Sequence, residues 1–528
     1  MTIQPQITTP ENLGVLLDQK AKQSPSAAVL NFIEEDKTLT YEELRQTVNK
    51  TANAYNDLGI GRHCHVAIMS GNCLSFIASW LALAKLGAVT IAVNMRYTSR
   101  ELDYVLDDSE ASFLIIDPSH VSVYENSNAA EGGRFENRII TTETANNYHH
   151  SWPKLIKGQS GEFNGRDKIT REDLINIQYT SGTTGFPKGC MLPHSFWLHS
   201  SKVMVLELGF DLKRVIYNQN FFYMDGPFLM TACMHAGACL FVVTTPSAKR
   251  FVQWIRDFRI QYCFFFEAIY KIPESPRDGD NSMLLLQTFG FNKANHSDLE
   301  RRFHTKAREA YGMTECGGVL SMPLSDNSKI GSGSCGKPHM DREASIRDEY
   351  GKPVPVGEVG ELWVRGPGMM IGYYNNPTAT KNTIIDGWLR TGDLFRCDKD
   401  GYYTIVGRQK DMVRRNGENI ACREVEAVLR ELRGIKEVAV VPVPDDRVGE
   451  EVKSYILLQD GESPDSIPPK LIIQHCETRL ATFKIPRYIA YRDYFPMTDS
   501  DRVEKQKVIA ADPEPTSDTY DRITNCWR

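Results

Sequence analysis

The chain has 528 residues, of which 41% are hydrophobic, and a formal net charge of −6. This length is too great for a single core and predicts at least two domains. The charge offers no electrostatic footprint for nucleic acid, and no apolar run approaches the ~20 residues of a membrane span. We therefore expect no nucleic-acid partner and no membrane insertion. The start, MTIQPQITTPENL, lacks the plan of a signal peptide and favours a cytoplasmic protein.

The 12 cysteines are scattered through apolar and mixed segments, with no C-x-x-C pair and no regular spacing. This distribution predicts reduced thiols rather than a zinc site or a disulfide framework. The sequence contains neither H-E-x-x-H nor G-x-S-x-G, which argues against a metalloprotease and a serine hydrolase.

Patterns typical of helices and strands alternate from residue 10 to about residue 120. Thr40–Glu43 and Thr98–Glu101 each fit a capping box that opens an amphipathic helix. His65–Ser70 and Val89–Asn94 are short apolar runs typical of buried strands, and Ser75–Leu86 is apolar all round at helical length. This alternation predicts an α/β fold with a parallel sheet.

The stretch from Tyr179 to Gly189, YTSGTTGFPKG, combines small, hydroxyl-bearing and cationic residues. Its glycines allow consecutive amide N–H groups to face an anion. The residues expected to bind phosphate are Thr180, Ser181, Gly182, Thr183, Thr184 and Lys188. A Walker A loop ends in Gly-Lys-Ser/Thr, whereas Gly189 and Cys190 follow the lysine here, so a different nucleotide loop is indicated.

Composition alone fits a surface turn equally well, but the spelling of this stretch resembles the phosphate-binding signature of the adenylate-forming superfamily. That superfamily contains acyl-CoA synthetases, peptide-synthetase adenylation domains and luciferases. Further matches follow in the family's order, namely YGMTE at Tyr311–Glu315, GEVGELWVRGPGMMIGYYNNP, DGWLRTGDLF and GYYTIVGRQKDMVRRNGENI. The resemblance covers nearly the full chain. It implies a large N-terminal α/β domain with layered, mostly parallel sheets and helices, and a small mobile α+β C-terminal domain.

The resemblance also implies roles for individual residues. In the family, the aromatic and the threonine of YGMTE contact the nucleotide and the glutamate holds Mg²⁺, which carries over to Tyr311, Thr314 and Glu315. Carboxylate and phosphate oxygens suit this hard cation. The aspartate of TGDL and the arginine of the Gly-Arg pair bind the ribose hydroxyls, which implies Asp393 and Arg408.

Lys410 falls at the family's hinge. We therefore expect an N-terminal adenylation domain over residues 1–409 and a mobile C-terminal domain over 410–528, with a frayed tail from about residue 512. The segment Arg415–Asn419, RNGEN, resembles CoA ligases, including those for crotonobetaine and carnitine. In relatives, the small domain turns about the hinge so that this segment lines the thiol tunnel. The implied tunnel residues are Arg415, Gly417 and Glu418.

One departure from the family concerns a catalytic residue. Relatives commonly end with a Gly-Lys pair whose lysine reaches the reacting carboxylate, but Arg502 stands at the aligned position. Arginine stays protonated and still neutralises charge on the carboxylate and the α-phosphate. Lys505 or Lys507 serves instead if the loop shifts. The residues expected to carry catalysis are Thr184, Lys188, Glu315 and Arg502.

The acyl pocket is implied less directly. Tyr223 stands where relatives place an aromatic or histidine that lines the acyl tunnel, although core packing explains so aromatic a segment equally well. Glu267 interrupts the strand-like run Ile260–Tyr270, and a carboxylate there is costly unless it is paired or solvated. Its partner is either a cationic group of the substrate or a neighbouring Arg or Lys. The other implied pocket residues are Asp225, Gly290, Asn292 and Gly317.

The implied activity is that of an AMP-forming acyl-CoA synthetase, an acid–thiol ligase that uses ATP, Mg²⁺ and coenzyme A. A carboxylic acid attacks the α-phosphate of ATP, pyrophosphate leaves, and the thiol of CoA then takes the acyl group from the acyl-adenylate. Two alternatives stay open. One is a freestanding adenylation enzyme that loads the phosphopantetheine of a carrier protein. The other is a degenerate member that binds nucleotide or acyl ligands without turnover, favoured by Arg502 and by the irregular stretch Ser275–Arg308.

Overall fold

The computed structural model describes residues 10–145, 148–165, 168–180, 187–408, 412–415, 418–445, 447–480, 482–498, 503–512, 514 and 516–528. Two compact units divide the chain. The larger consists of Met1–Ala344 and Val364–Leu389, and the smaller of Ser345–Trp363 and Arg390–Arg528. The predicted domain boundary between residues 409 and 410 lies outside the described residues and stays a prediction.

Helices and strands alternate along the chain, numbered here in chain order. The helices are α1 (Leu13–Gln23), α2 (Tyr41–Asp57), α3 (Leu74–Leu86), α4 (Ser99–Asp108), α5 (Val121–Glu125), α6 (Asn128–Glu131), α7 (Trp152–Leu155), α8 (His194–Glu207), α9 (Asp225–Ala236), α10 (Ala248–Asp257), α11 (Glu267–Tyr270), α12 (His296–Phe303), α13 (Pro377–Thr383), α14 (Cys422–Arg430), α15 (Pro469–Glu477) and α16 (Lys505–Ala510). The strands are β1 (Ala28–Phe32), β2 (Lys37–Thr40), β3 (His65–Met69), β4 (Val89–Ala92), β5 (Phe113–Ile116), β6 (Ile139–Thr141), β7 (His150–Ser151), β8 (Leu174–Thr180), β9 (Lys188–Pro193), β10 (Arg214–Tyr217), β11 (Cys239–Val242), β12 (Tyr262–Phe265), β13 (Leu285–Thr288), β14 (Lys306–Met313), β15 (Gly317–Ser321), β16 (Ser334–Pro338), β17 (Glu343–Arg347), β18 (Val359–Arg365), β19 (Gly372–Tyr373), β20 (Ile384–Ile385), β21 (Trp388–Cys397), β22 (Tyr403–Arg408), β23 (Met412–Arg415), β24 (Glu418–Ala421), β25 (Ile435–Asp445), β26 (Gly449–Leu458), β27 (Tyr488–Tyr491), β28 (Tyr520–Asp521) and β29 (Cys526–Trp527).

Two threonines predicted to cap helices do so. Thr40 caps α2 and Thr98 caps α4. Each side chain accepts a hydrogen bond from the backbone N–H of a glutamate three residues on, Glu43 or Glu101, and each glutamate accepts one from the backbone of its threonine. These reciprocal bonds satisfy amides that the first helical turn leaves without partners. Both predicted helix starts are thereby confirmed.

The larger unit contains two mostly parallel sheets. One has the strand order β16-β15-β14-β13-β12-β10-β11-β1-β2, and its pairs from β1 through β14 are parallel. The other has the order β19-β9-β8-β4-β3-β5-β6-β7, with parallel pairs from β8 through β7. The antiparallel strands β9 and β19 form one edge of the second sheet. This architecture confirms the predicted fold class.

Helix α3 shows why the apolar helical pattern is buried on all sides. Its side chains are buried from Ser75 to Leu86. Trp80 of α3 packs edge to face on Trp197 of α8 at 5.9 Å between ring centroids, and neither ring is exposed. A helix without a polar face belongs between layers. At 13 residues it is too short for a bilayer, and no helix in the described part of the chain is both long and apolar enough to cross one.

The smaller unit contains a sheet of the order β24-β23-β26-β27-β28-β29, with β25 paired to β26. The β25–β26 hairpin is antiparallel from Ile435 opposite Leu458 to Asp445 opposite Gly449. Apolar residues of helices α14 and α15 join those of the strands in one core, which includes Val425, Leu429, Val440, Ile456, Ile472 and Cys476. The small α+β domain predicted for this part of the chain is confirmed.

The chain end differs from the frayed tail expected from about residue 512. Strand β28 pairs antiparallel with β27, and β29 folds back on β28. Thr519, Tyr520 and Asp521 are buried, and the ring of Trp527 packs against Tyr520 at 5.8 Å. The expectation of a frayed end is therefore wrong for residues 516–528. It failed because aromatic and ionic contacts hold a segment whose composition is that of a loop.

Candidate active site

The residues that flank the predicted phosphate loop lie on two paired strands of the larger unit. Strand β8 ends at Thr180 and β9 begins at Lys188, and these two residues are partners in the antiparallel register. The Thr180 hydroxyl donates to the Lys188 carbonyl at 3.4 Å. Both ends are therefore fixed by the sheet. The predicted loop residues that lie outside the described residues are Ser181, Gly182, Thr183 and Thr184.

Glu315 lies in the tight turn between β14 and β15. The turn closes through a hydrogen bond from the Cys316 amide to the Met313 carbonyl at 3.2 Å. Gly317 follows with φ of +67°, and a Cβ there would lie 2.7 Å from the Ser200 hydroxyl. Only glycine fits this conformation without strain. Gly317, predicted as a pocket residue, is buried and shapes the turn that holds Glu315, which is 8% exposed.

Tyr373 brings Lys188 and Glu315 to one place. Strand β19 pairs with β9 so that Tyr373 is opposite Cys190. The Lys188 ammonium lies 4.7 Å from the centroid of the Tyr373 ring, and the Tyr373 hydroxyl donates to Glu315 Oε1 at 2.9 Å. Two motifs far apart in the sequence thus meet at one buried phenol. Sequence reasoning matched the GYYNNP stretch but did not single out this tyrosine.

The electrostatics of the cluster follow from burial. Burial raises the pKa of the Tyr373 phenol well above its usual value, and the Glu315 charge raises it further. Burial also raises the pKa of the Cys190 thiol, again with help from Glu315. Both groups therefore stay protonated at neutral pH, so the phenol remains a donor to the carboxylate.

Glu315 suits the Mg²⁺ ion that the family implies. Magnesium is usually bound through one or two carboxylates together with substrate phosphates, rather than by an all-protein cage. A buried carboxylate that shares a tyrosine contact with a lysine meets that description. Across the described ranges, no group of three or more His, Cys, Asp or Glu side chains could hold a metal ion.

The other two predicted nucleotide contacts lie beside this turn. Tyr311 is on β14 and is buried, and its hydroxyl approaches the Met313 sulfur at 3.7 Å. Thr314 is half-buried in the turn itself. The structure therefore brings Tyr311, Thr314 and Glu315 together at the end of one strand.

Glu309 is a residue of this site that sequence reasoning missed. Its buried carboxylate accepts hydrogen bonds from the Thr288 hydroxyl at 2.6 Å and from the amide of Gly290. Burial raises its pKa to about 7, against the effect of these bonds and of one from the Phe291 amide. Glu309 thus ties the predicted pocket residue Gly290 to the strand that carries Tyr311. The sequence signal that could have identified Glu309 is a carboxylate within an otherwise buried strand.

Asn292 follows this turn, and its side chain caps the 3-10 turn at Lys293–Asn295. Phe289, between Thr288 and Gly290, packs edge to face on Phe264 at 5.0 Å and is 45% exposed. Phe264 stacks in turn on Phe228 at 6.1 Å. An aromatic row therefore leads inward from the Gly290 turn.

Tyr223 and Asp225 lie at the start of α9. Tyr223 is half-buried, and its ring lies 4.4 Å from that of Phe222. Asp225 is the first residue of the helix, where the helix dipole favours a carboxylate. Burial raises the pKa of Asp225 to about 6. Burial raises the pKa values of Tyr217 and Tyr262 well above their usual range, and the charge of Asp225 raises them further.

Glu267 does not interrupt a strand. Strand β12 ends at Phe265 and Glu267 begins the short helix α11. Its side chain is 42% exposed and pairs with Lys271 one helical turn on, at 4.0 Å. The interpretation of Ile260–Tyr270 as one strand is wrong because the apolar residues after Phe265 continue as a helical turn. Of the two partners considered, the structure supplies the neighbouring lysine.

The predicted ribose-binding pair lies in the smaller unit. Asp393 on β21 is opposite Arg408 on β22 in the antiparallel register. The Asp393 residue is 2% exposed, and its amide donates to the Thr391 hydroxyl at 3.1 Å. The side chain of Arg408 lies outside the described part of the structure.

The predicted CoA segment begins at the end of β23. Arg415 is opposite Glu418 on β24, and its guanidinium donates to both carboxylate oxygens of Glu451 at 2.8 and 3.2 Å. Gly417, the Glu418 side chain and the predicted hinge residue Lys410 lie outside the described residues.

Arg502 lies outside the described residues as well. The two lysines considered in its place are described. Lys505 pairs with Glu426 at 2.7 Å and Lys507 pairs with Glu504 at 2.6 Å. Each lysine therefore has a carboxylate partner within the smaller unit, and the catalytic role of Arg502 stays a prediction.

Comparison with known proteins defines the class of this chain. The AMP-binding enzyme model matches residues 17–374, and the AMP-binding enzyme C-terminal domain model matches residues 424–502. The chain belongs to the AMP-binding enzyme family. This match covers more than half of the chain and both units.

Individual relatives support the assignment. YngI of Bacillus subtilis (strain 168), a protein named for acyl-CoA synthetase activity, is 30% identical over 94% of this chain and 96% of its own length. The crotonobetaine/carnitine–CoA ligase of Escherichia coli O9:H4 (strain HS) is 28% identical over 89% of this chain and 92% of its own. ATP-bound MatB from Rhodopseudomonas palustris superposes with a TM-score of 0.85 at 25% identity, covering 95% of this chain and 98% of that one. These findings confirm the predicted family, fold class and type of activity, ATP-dependent acyl-CoA ligation.

Proposed function

We propose that this enzyme activates a small carboxylic acid as an acyl-adenylate and transfers the acyl group to CoA by means of the residues described above. The observation that carries the proposal is the meeting of Lys188 and Glu315 at Tyr373. An ammonium and a carboxylate that both contact one tyrosine side chain suit the opposite charges of a metal–polyphosphate complex.

Lys188 neutralises charge on the phosphates of ATP as the α-phosphate is attacked. Glu315 is the carboxylate that would hold Mg²⁺, and the metal, when bound, supplies charge neutralisation across the phosphate oxygens. Thr180 and the loop residues from Ser181 to Thr184 donate to the same phosphates. These roles are supported by the position of Thr180 and Lys188 at the two strand ends of the loop.

Tyr311 and Thr314 contact the nucleotide, and Asp393 with Arg408 binds the ribose hydroxyls. Their support is the position of Tyr311 on β14 and of Thr314 in the turn that holds Glu315, and the backbone register that places Asp393 opposite Arg408. Arg502 approaches the reacting carboxylate during adenylation. The smaller domain then turns at Lys410, and Arg415, Gly417 and Glu418 line the path of the CoA thiol.

The acyl group lies beside Tyr223, Asp225, Gly290, Asn292 and Gly317. The aromatic row of Phe228, Phe264 and Phe289 supports an acid with an apolar or aromatic body. Glu267 is not retained as a substrate contact, because Lys271 already pairs with it at the surface. A cytoplasmic location is supported by the twelve cysteines, all of which are free thiols.

The deciding experiment measures AMP and pyrophosphate release from MgATP across a panel of small aliphatic, aryl and betaine-like acids, each with and without CoA. We expect turnover that rises strongly when CoA is added. Pyrophosphate release that stalls near one equivalent with every acid, with or without CoA, would indicate a carrier-protein acceptor. No release with any acid would indicate a binding protein and contradict the proposal.

A further inference from the structure

Charged side chains of alternating sign cross the sheet of the smaller unit, from the predicted CoA segment to the chain end. Arg415 donates to Glu451 at 2.8 and 3.2 Å. Glu451 also accepts from Arg487 at 3.3 Å. Arg487 donates to Asp521 at 3.4 Å, and Asp521 accepts from Arg528 as well. These five residues form a charge ladder.

The two carboxylates of the charge ladder are its buried members. The side chain of Glu451 is 3% exposed and that of Asp521 is 0% exposed. A buried carboxylate is costly unless cations pair with it. Burial raises the pKa of Asp521, but the Ile523 amide, Arg487 and Arg528 outweigh it and hold that pKa below its usual range. Asp521 is therefore ionised at neutral pH and requires its arginines.

Residues 516–528, called the tail here, contain two members of the charge ladder, Asp521 and Arg528, and contact a third, Arg487. Asp521 is opposite Tyr488 in the β27–β28 pair, and the Arg522 amide donates to the Arg487 carbonyl at 2.9 Å. Arg487 in turn donates its amide to Val452 of β26 at 2.8 Å and binds Asp445 through its side chain at 2.8 Å. The tail therefore contributes to the position of Arg487, together with Val452 and Asp445, and Arg487 in turn contacts Glu451.

Arg415, the member of the charge ladder farthest from the tail, belongs to the predicted CoA segment. Arg415 is the last residue of β23, and it is also the residue at which β23 pairs with β26, opposite Gly449. The side-chain pair to Glu451 therefore holds the end of β23 at Arg415. An arginine bound by both oxygens of one carboxylate is restricted in direction as well as position.

We propose that residues 516–528 act as a positioning element for the second half-reaction: through the charge ladder, the tail holds Arg415 and its hairpin in the geometry that receives the CoA thiol. The inference rests on the proposed function, because it takes Arg415 as a tunnel residue. Arg415 is a candidate contact of CoA, whereas Asp521 and Arg528 act only through other residues.

The test separates the two half-reactions in Asp521→Asn and Arg528→Ala. Adenylation is measured as acid-dependent ATP–pyrophosphate exchange without CoA. Thioester formation is measured as single-turnover consumption of preformed acyl-adenylate at increasing CoA. We expect Asp521→Asn to slow the CoA step by about 3- to 30-fold, the range for residues that couple through a network, and Arg528→Ala to slow it less. Exchange should stay within about 2-fold of wild type.

Asp512→Asn is the matched control. Asp512 is also a largely buried carboxylate near the chain end, and it accepts from Lys453 at 2.6 Å and from Tyr455 at 2.7 Å, away from the charge ladder. The control should leave the CoA step unchanged at a similar loss of thermal stability. Equal losses in both half-reactions, or the same CoA defect in Asp512→Asn, would show a merely structural tail and overturn the proposal.

A folded Asp521→Asn with a normal CoA step would overturn it too. If that variant does not fold, Arg528→Ala carries the comparison, because its side chain is 38% exposed and its loss leaves Asp521 paired with Arg487. A wild-type enzyme whose AMP release ignores CoA would instead refute the proposed function, and this inference with it.

Discussion

Replacing Tyr373 by phenylalanine removes one hydroxyl and leaves the ring. That hydroxyl donates to Glu315 Oε1 at 2.9 Å, while the ring face holds the Lys188 ammonium at 4.7 Å. The two interactions can therefore be removed in sequence, first with Tyr373→Phe and then with Tyr373→Leu. Each step reports on a different predicted ligand of the metal–polyphosphate complex.

The expected magnitudes follow from the type of each contact. A hydrogen bond to a charged group contributes about 1.5–3 kcal/mol, and each 1.4 kcal/mol is about tenfold in an equilibrium constant. We therefore expect Tyr373→Phe to raise the Mg²⁺ concentration for half-maximal activity by about 10- to 100-fold at saturating ATP. A cation–π contact of a half-buried lysine contributes about 0.5–2 kcal/mol. Tyr373→Leu should therefore raise the KM for ATP by about 2- to 30-fold further, because Lys188 loses this contact.

The assay is initial-rate pyrophosphate release across a Mg²⁺ titration at several ATP concentrations. Tyr374→Phe is the matched control, since the Tyr374 hydroxyl donates to Glu110 at the surface at 2.7 Å. It should leave both parameters unchanged. A Tyr373→Phe enzyme with the wild-type Mg²⁺ requirement would refute the idea that this phenol holds Glu315 for the metal, and an equal effect of Tyr374→Phe would refute its specificity.

Further predictions concern titration, catalysis and the pocket. The raised pKa of Glu309, about 7, means that the folded state binds more protons than the unfolded state between about pH 4.5 and 7, so this group's contribution to stability is lost as pH rises through that window. Chemical denaturation across pH should therefore show a shallower loss in Glu309→Gln than in wild type, and parallel profiles would contradict the burial argument. Arg502→Ala should slow ATP–pyrophosphate exchange by about 10²–10³-fold, far more than Lys505→Ala, whereas the reverse order would show that the alignment misplaced the role. Glu267→Gln should leave the ranking of cationic against neutral acids unchanged, because an exposed pair such as Glu267–Lys271 contributes about 0–1 kcal/mol; a changed ranking in kcat/KM would restore Glu267 as a substrate contact.

Much of the architecture could be predicted because its signals are local. Capping boxes at Thr40 and Thr98 and the apolar run of α3 each specify an element without knowledge of distant contacts. The prediction of one strand through Ile260–Tyr270 was wrong after Phe265, because continuous apolar residues do not distinguish a strand from a buried helical turn.

The candidate site was less accessible to such reasoning. Lys188 and Glu315 were found by motif, but their meeting at Tyr373 depends on β19 pairing with β9, a long-range register that no local pattern encodes. The role of Glu309 was missed, and the expectation of a frayed tail was wrong, for the same reason. A carboxylate in a strand and a polar chain end acquire meaning only from the partners that the fold supplies.

Strand β29, at the edge of its sheet, carries a cysteine that can be labelled selectively. Cys526 on this strand is exposed, whereas the other eleven thiols are buried or half-buried. Thiol reagents at low stoichiometry should therefore label Cys526 first. A fluorophore on Cys526 would report in real time on separation of the β28–β29 hairpin from β27. The same thiol will also react in any colorimetric assay that follows free CoA, so enzyme-dependent background must be subtracted before CoA consumption is calculated.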